Sequence, residues 1–282
     1  MNRPLAVTVD GRAHDPDAPA LSPLERGFAY GDGLFETIPA PAGHAFEPER
    51  HFARLRASAD VLGLPVPPLE RLERALEATL AAAAAAAGGA TAEVVRITWS
   101  RGTGGRGYAP PDEARPQLVV SAWTAPTRRT AGVRALSVWG VAPGELARHK
   151  TLSSIHYVVA AGRARAAGAD EALIVDARGR VLETAGANVF AVLGHRVVTP
   201  PTSLPLFAGI GRARVLAALA ARSPSAALEQ AFDLVALTRA DEAFLVSAVR
   251  GIVPLVAVDG RAVGTGAPGP VTTSLTPLPG SV

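Results

Sequence analysis

Apolar residues recur at helical spacing in the first third of the chain. Between His51 and Leu62 they occupy positions 52, 55, 59 and 62, and Gly63 follows. This spacing puts them on one face of a helix that ends at the glycine. A second helix is predicted from Leu69, because leucines at 72, 76 and 80 lead into an alanine tract at 81–87 that ends at Gly88-Gly89. Alanine has the highest helix propensity, so the tract is assigned to the helix and not to a linker.

Strands are predicted where apolar and polar residues alternate, or where short apolar runs end at turn residues. The stretch 93–100 alternates apolar residues at 95, 97 and 99 with polar residues at 96 and 98. Further strands are predicted at 7–9, 117–123, 172–176, 181–183, 188–193 and 196–198, the last two forming a hairpin around Gly194. Helices are predicted at 154–167 and 209–222, and the glycine-rich start of the second leaves backbone N–H groups without helical partners. The pattern as a whole is mixed α and β.

The chain divides at a polar segment that is broken by proline, TAPTRRT at 124–130. We predict a small domain over 1–123, a linker at 124–130 and a larger domain over 131–282. From Gly264 onward the chain is rich in Gly, Pro, Ser and Thr, and its last dozen residues are predicted to be poorly ordered.

Composition narrows the functional classes. The chain has 282 residues, 48% of them apolar, and no apolar stretch of membrane-spanning length. With no cysteine it has no disulfide, thiolate zinc site or cysteine nucleophile, and no metal site is predicted. The formal charge is only +3, and arginines are dispersed among 25 acidic residues, so neither nucleic acid nor membrane is expected as a partner. The N-terminal sequence MNRPLAVTVDGR lacks the apolar block of a signal peptide, and a soluble cytoplasmic protein is predicted.

Lysine usage is the most unusual feature of the composition. Lysine and arginine together number 28, and Lys150 is the single lysine, which leaves 27 arginines. A partly desolvated ε-amine can lose its proton and form an imine with a carbonyl group, whereas guanidinium stays protonated and is not nucleophilic. Codon bias could also have removed lysine and left one by chance. The count alone leaves both interpretations open.

Seven blocks along the chain carry a family resemblance. They are ERGFAYGDGLFET (25–37), HFARLRAS (51–58), SRGTGGRGYAPP (100–111), KTLSSIHYVVAAGRARAAGADEA (150–172), GRVLETAGANVF (179–190), LFAGIGRARVL (206–216) and ADEAFLVSAVRGIVPL (240–255). Together they resemble the class IV aminotransferases, in the order seen in that family, and cover nearly the whole chain. The family has fold type IV, binds pyridoxal phosphate, and includes branched-chain and D-amino acid aminotransferases and aminodeoxychorismate lyase.

The resemblance implies an α/β (α+β) fold of two domains, with pyridoxal phosphate between them. The N-terminal domain would be a small α/β domain, and the C-terminal domain would be larger, with a mixed β-barrel-like sheet and helices. Family members pair as dimers, so a homodimer is expected.

The resemblance also assigns cofactor contacts. Lys150 matches the lysine that bonds to pyridoxal phosphate, and Glu183 matches the glutamate that faces the pyridine nitrogen, where an anion keeps that nitrogen protonated. Arg54 matches the phosphate-binding arginine, whose fork can bind two oxygens. The backbone amides of Ile210 and Gly211, at a helix start, would complete the phosphate site.

One difference from the family and two further positions complete the set of expected cofactor contacts. The family usually has threonine where Gly211 stands, so one side-chain contact to the phosphate is missing here. Asn188 and Ser247 lie in matching blocks and are additional candidates for cofactor contacts.

Substrate residues favour one branch of the family. D-amino acid aminotransferases have an arginine followed two residues later by histidine, and a tyrosine just after the GDG block. In this chain the residue two positions after Arg106 is Tyr108 and not histidine, and the aromatic residue after the GDG block is Phe35 and not tyrosine. The loop RGTGGRGY instead resembles that of aminodeoxychorismate lyase. This resemblance implies that Arg106, together with Arg96 on the preceding strand, would receive the substrate carboxylates.

The predicted reaction is the conversion of 4-amino-4-deoxychorismate to 4-aminobenzoate and pyruvate, a step of folate biosynthesis. The main alternative is an aminotransferase that acts on a D-amino acid, a branched-chain amino acid or an amine with a 2-oxo acid. Taken alone, RGTGGRG at 101–107 is also compatible with a nucleotide-binding or RNA-binding loop, although no Walker lysine follows it.

Overall fold

The computed structural model describes residues 3–86, 91–142, 144–194, 196–223 and 226–282. The chain forms two compact units. The first contains residues 1–126 and 149–154 together with residue 282, and the second contains residues 127–148 and 155–281. The segment 149–154, which carries Lys150, was assigned to the second domain from the sequence. It belongs to the first unit because its backbone pairs with a strand of that unit, as shown below.

The first unit is an antiparallel sheet of five strands with helices. Its strands are β1 (Ala6–Val9), β2 (Arg12–His14), β3 (Gly33–Pro39), β4 (Val94–Ser100) and β5 (Gln117–Trp123), in the spatial order β2-β1-β5-β4-β3. The helices are α1 (Arg26–Tyr30), α2 (Pro48–Val61) and α3 (Leu69–Ala86).

The core of the first unit follows from the two periodicities in the sequence. The helices supply buried residues at spacings of three and four, among them Phe52, Leu55 and Leu72, and the strands supply alternate residues such as Ile97. The same alternation in β3 puts Glu36 on the face of Leu34 and Ile38, and puts Phe35 and Thr37 on the opposite face. One acidic side chain therefore lies on the core face of the sheet.

The second unit contains the larger sheet. Its strands are β6 (Val133–Trp139), β7 (Glu171–Val175), β8 (Val181–Thr184), β9 (Asn188–Leu193), β10 (Arg196–Thr199), β11 (Ala227–Glu229), β12 (Glu242–Ser247), β13 (Gly251–Val258) and β14 (Arg261–Ala262). The order is β11-β10-β9-β12-β13-β6-β7-β8, and β14 pairs with β13. The strand β8 also pairs with β9. A closed ring of six strands results, in the order β9-β12-β13-β6-β7-β8.

Four helices accompany this ring: α4 (Ile155–Ala166), α5 (Ile210–Arg222), α6 (Leu234–Thr238) and α7 (Pro270–Ser274). The buried core includes Val189, Leu245 and Leu255, which come from three neighbouring strands of the ring. This arrangement confirms the predicted fold class, a mixed α/β structure with a barrel-like sheet.

Most predicted elements coincide with observed ones within one or two residues, with two qualifications. The predicted helix stop at Gly88-Gly89 lies outside the described residues. The C-terminal segment differs from the expectation of poor order: residues 270–274 form α7, and Leu275 and Leu278 are buried in an apolar cluster with Val215 and Phe244. The prediction of poor order rested on the Gly, Pro, Ser and Thr content and did not take into account that these two leucines can be buried.

Across the ranges described, no helix combines the length and apolar character needed to cross a bilayer.

Candidate active site

Lys150 is positioned by backbone pairing with β3. The amide of Phe35 donates a hydrogen bond to the carbonyl of Lys150 at 2.8 Å, and the amide of Leu152 donates to the carbonyl of Gly33 at 2.9 Å. A Cβ atom at Gly33 would lie 2.6 Å from the carbonyl oxygen of Trp99 and 2.8 Å from Leu152 Cδ1, so the backbone here needs glycine. Lys150 Nζ lies 4.8 Å from the centroid of the Phe35 ring. The amine is thus held beside an aromatic side chain.

The side chain of Arg96 contacts the same Phe35 ring. Its Cζ lies 3.8 Å from the Phe35 centroid, a distance typical of a cation–π contact. Burial lowers the pKa of Arg96. Within the described ranges, no side chain or backbone group forms a hydrogen bond or ion pair with the guanidinium of Arg96, whose backbone belongs to β4. The structure therefore brings together Lys150, Phe35 and Arg96, and leaves the guanidinium without a described protein anion.

Arg54 on α2 is paired with Glu36 on β3. Nε of Arg54 donates to Oε1 of Glu36 and Nη2 donates to Oε2, both at 2.7 Å, and Nδ1 of His51 lies 2.8 Å from Oε2. Burial alone would raise the pKa of Glu36, but the hydrogen bond with His51 and the charge of Arg54 lower it to about 2. The carboxylate therefore fixes the plane of the Arg54 guanidinium. The predicted contact of Arg54 with phosphate stays a prediction.

The glycine-rich loop carries Arg106 and Tyr108, and both side chains are exposed. Arg26, a buried residue of α1, holds this loop by donating to the carbonyls of Gly107 at 3.0 Å and Tyr108 at 3.1 Å. Its Nε donates to Asp32 at 2.7 Å. Arg26 was not among the site residues expected from the sequence, although it lies in the ERGFAYGDGLFET block.

In the second unit, Glu183 lies on β8 and is only 4% exposed. Its Oε1 accepts a hydrogen bond from the hydroxyl of Tyr157 at 2.6 Å, and its Oε2 accepts one from the amide of Phe207 at 3.0 Å. Asn188, which pairs with Glu183 across β8 and β9, donates from Nδ2 to the carbonyl of Phe207 at 2.7 Å. Glu183 and Asn188, both predicted as cofactor contacts, therefore belong to one hydrogen-bonded group.

Tyr157 is a member of this group that sequence analysis missed. Burial, and then the charge of Glu183, raise the pKa of Tyr157 well above its ordinary value. The phenol therefore stays protonated and donates to the carboxylate.

The start of α5 presents buried backbone donors. Ile210 is 7% exposed, and Gly209 precedes it in an extended conformation with no side-chain cap. Among residues that the structure describes, none accepts a hydrogen bond from the amides of Ile210 and Gly211. Unpaired amides and the positive end of the helix dipole suit a dianion such as phosphate.

The geometry also accounts for glycine at position 211. A Cβ atom there would lie 2.8 Å from the carbonyl carbon of Ser247 and 2.9 Å from Cγ1 of Val246. The end of β12 occupies the space that a threonine side chain would need. Gly211 and Ser247 are therefore close together, and the Ser247 hydroxyl accepts a hydrogen bond from the amide of Arg250 at 3.1 Å.

Each unit by itself carries groups whose chemistry suits pyridoxal phosphate. The first unit supplies an amine beside an aromatic ring, and the second supplies a buried carboxylate and unpaired amides at a helix start. No group of three or more metal-ligating side chains occurs within the described residues.

Comparison with known proteins identifies the family. Residues 33–258 match the family Amino-transferase class IV. A putative branched-chain-amino-acid aminotransferase of Methanocaldococcus jannaschii is 29% identical over 281 residues, 96% of this chain and 94% of that protein. A bifunctional aminodeoxychorismate lyase / D-amino acid transaminase of Mycobacterium tuberculosis is 30% identical over 224 residues, which are 73% of this chain and 74% of that protein.

Solved structures agree with the sequence matches. The 4-amino-4-deoxychorismate lyase of Pseudomonas aeruginosa superposes with a TM-score of 0.79 and 32% identity, covering 95% of this chain and 96% of that one. These similarities confirm the resemblance, the fold type and the cofactor. The chain belongs to the class IV aminotransferase family and is a pyridoxal-phosphate-dependent enzyme.

Proposed function

We propose that this enzyme converts 4-amino-4-deoxychorismate to 4-aminobenzoate and pyruvate. The observation that carries the proposal is the position of Arg96, a guanidinium that stacks on Phe35 beside Lys150 and has no counter-anion among the residues described. The substrate has two carboxylates, and a desolvated guanidinium binds a carboxylate with a strong, charge-assisted hydrogen bond. Arg106, on the loop that Arg26 holds, is the candidate for the second carboxylate.

Five groups of the chain would hold the cofactor. Lys150 would bond to it, Glu183 would pair with its ring nitrogen, and Arg54 together with the amides of Ile210 and Gly211 would bind its phosphate. Asn188 would act through Phe207, whose amide holds Glu183. Ser247 lines the same helix start as Gly211. When bound, pyridoxal phosphate supplies an electron sink for negative charge at the carbon that bears the substrate amine.

The chain's own residues would then move one proton. Lys150 Nζ takes the proton from the amine-bearing carbon, and the bond to the enolpyruvyl oxygen breaks as the ring becomes aromatic. The same Nζ can return a proton to the departing enolpyruvate, which becomes pyruvate. Arg96 and Arg106 hold the carboxylates during these steps, so the rigid substrate keeps its orientation.

A second candidate function is transamination of a D-amino acid, a branched-chain amino acid or an amine. The bifunctional relative in Mycobacterium tuberculosis favours it, because its name combines the lyase with a D-amino acid transaminase. Phe35 and Tyr108 argue against activity on D-amino acids. They occupy the positions of the tyrosine and the histidine that bind the substrate carboxylate in D-amino acid aminotransferases.

Product analysis tests the proposal. Purified holoenzyme is incubated with 4-amino-4-deoxychorismate, and separately with D-alanine or branched-chain amino acids plus 2-oxoglutarate. The proposal expects 4-aminobenzoate and pyruvate in equal amounts from the first mixture. Formation of glutamate in the second mixture without 4-aminobenzoate in the first would replace the lyase with an aminotransferase.

We also propose that the enzyme is a homodimer. Each unit exposes large apolar side chains that a second copy would cover: Phe28 is 76% exposed in the first unit, and Ile155 is 70% exposed in the second. Light scattering of the purified protein would test this, and a monomer at every concentration would contradict it. A cytoplasmic location remains a prediction.

A further inference from the structure

Tyr157 places a single polar atom at the edge of an apolar cluster. The ring packs against a cluster of buried residues on β7, on β8 and in the loop between β10 and α5, namely Ile174, Leu182, Leu204 and Leu206. Its hydroxyl oxygen lies 2.6 Å from Oε1 of Glu183, within the range of a charge-assisted O–H···O⁻ bond. Phenylalanine would satisfy the apolar packing equally well. The hydroxyl therefore has one described function, which is to donate to Glu183.

Glu183 receives donors on both oxygens. Tyr157 occupies Oε1, and the amide of Phe207 occupies Oε2 at 3.0 Å. The Phe207 peptide is itself held by Asn188, which donates to its carbonyl. A carboxylate has about four lone-pair sites, so it can accept several donors at once, including a ring N–H.

We propose that Tyr157 is a positioning residue for the cofactor, acting through Glu183. Its hydroxyl keeps the buried carboxylate ionised and in a fixed orientation, ready to pair with the protonated ring nitrogen of pyridoxal phosphate. The inference rests on the proposed role of Glu183. Hydrogen bonds to the charged form of a carboxylate favour that form, and the Tyr157 hydroxyl adds one such bond to the bond from the Phe207 amide. The cofactor would therefore remain paired to an anion under more acidic conditions than Glu183 alone permits.

The test is the pH dependence of cofactor affinity in Tyr157→Phe. The dissociation constant of pyridoxal phosphate is measured by equilibrium dialysis of apoenzyme across the acid range. We expect the pH at which affinity begins to fall to move upward by about one unit, the shift that loss of one charge-assisted hydrogen bond produces. Tyr30→Phe is the matched control, because its hydroxyl accepts a hydrogen bond from the amide of Gly107 and does not contact Glu183. Its pH profile should follow that of the wild type.

The double variant separates positioning from packing. In a Glu183→Gln background no carboxylate remains for Tyr157 to keep ionised, so adding Tyr157→Phe should leave the pH profile of affinity unchanged. A shift that persists in this background, or a Tyr157→Phe profile that superimposes on the wild type, overturns the inference. If the wild-type apoenzyme does not bind pyridoxal phosphate at all, the proposed function fails instead, and the two failures are distinguishable.

Discussion

Arg54 and Glu36 form a two-point ion pair on the core face of the first sheet, with both N···O distances at 2.7 Å. Glu36 is 1% exposed, and the third group in the cluster is His51. A buried carboxylate is stable only when its charge is compensated, and here the compensating arginine is also the candidate phosphate ligand. The same contact thus links the stability of the unit to the orientation of Arg54.

The first prediction concerns that pair. Because the pKa of Glu36 is lowered from 4.5 to about 2, ionised Glu36 stabilises the fold above pH 4.5, and this stabilisation is lost as pH falls towards 2. We expect Glu36→Gln to lower the free energy of unfolding at neutral pH by about 3 kcal/mol. Urea unfolding at several pH values measures it. The exposed Glu49→Gln is the control, and an equal loss in both variants would refute the buried-pair argument.

The second prediction uses the single ε-amine. Borohydride reduction of the holoenzyme should attach pyridoxyl to one internal site, Lys150, and Lys150→Arg should abolish both the label and the activity while it preserves the charge. Peptide mapping by mass spectrometry locates the label. Arg165→Lys is the control, because it adds a second ε-amine at an exposed position. A label that moves to residue 165, or full activity in Lys150→Arg, would falsify the assignment.

The third prediction separates the roles of Glu183 and Arg54. At saturating pyridoxal phosphate, Glu183→Gln should remain loaded with cofactor, because Lys150 and the phosphate site still hold it, but turnover should slow by orders of magnitude, because an uncharged partner does not hold the ring nitrogen protonated. Arg54→Ala should instead weaken cofactor binding, with activity recovered at high pyridoxal phosphate. Turnover per bound cofactor distinguishes the two defects. If Glu183→Gln loses cofactor and retains its turnover per bound cofactor, the role given to Glu183 is wrong.

The fourth prediction compares two helical glycines. Gly162 in α4 has open space around a would-be Cβ, so Gly162→Ala should stabilise the protein by about 0.5–1 kcal/mol through helix propensity. Gly211 in α5 faces the backbone of Ser247 at 2.8 Å, so Gly211→Ala should destabilise it by roughly 1–3 kcal/mol. Urea unfolding at one pH measures both. Stabilisation by both substitutions would show that β12 can yield to a side chain at 211.

The four longest helices and seven of the fourteen described strands were predicted from the sequence, because both periodicities are local. Residues 117–123 alternate clearly, and the predicted strand matches β5 in both bounds. The strand β3 was not predicted, because its sequence was noticed only as part of a family block. The alternation of buried and less buried residues in β3 puts Glu36 on the core face. That position could be predicted only after the segment had been assigned to a strand.

The site was less accessible to sequence reasoning wherever a contact depends on distant residues. Tyr157 lies 26 positions from Glu183, on a helix whose small residues give only a weak apolar face. Arg26 acts on a loop about 80 positions away through backbone carbonyls, which no side-chain pattern reveals. Lys150 was singled out as the only lysine of the chain, and the family resemblance gave it the role of the cofactor-bonding residue, which stays a prediction.

The last prediction concerns substrate choice. A lyase that acts on 4-amino-4-deoxychorismate must hold a rigid ring with two carboxylates, so an exposed arginine on a fixed loop matters more than an amino-acid carboxylate trap. We expect Arg106→Ala to raise KM for this substrate by an amount that corresponds to one charge-assisted pair, roughly 1.5–3 kcal/mol. Tyr108→Phe should have a smaller effect, because the Tyr108 side chain is 89% exposed and would lose only a neutral hydroxyl.

The matched control for Arg106 is Arg128→Ala, which removes an exposed arginine outside the loop. Steady-state kinetics with 4-aminobenzoate detection would compare KM and kcat of the three variants with the wild type. If Arg106→Ala and Arg128→Ala behave alike, Arg106 does not bind the substrate, and Arg96 becomes the sole carboxylate ligand proposed from the structure. If the wild type turns over D-amino acids and releases no 4-aminobenzoate, Arg106 becomes a clamp for a single carboxylate, because an amino acid has only one near its reacting carbon.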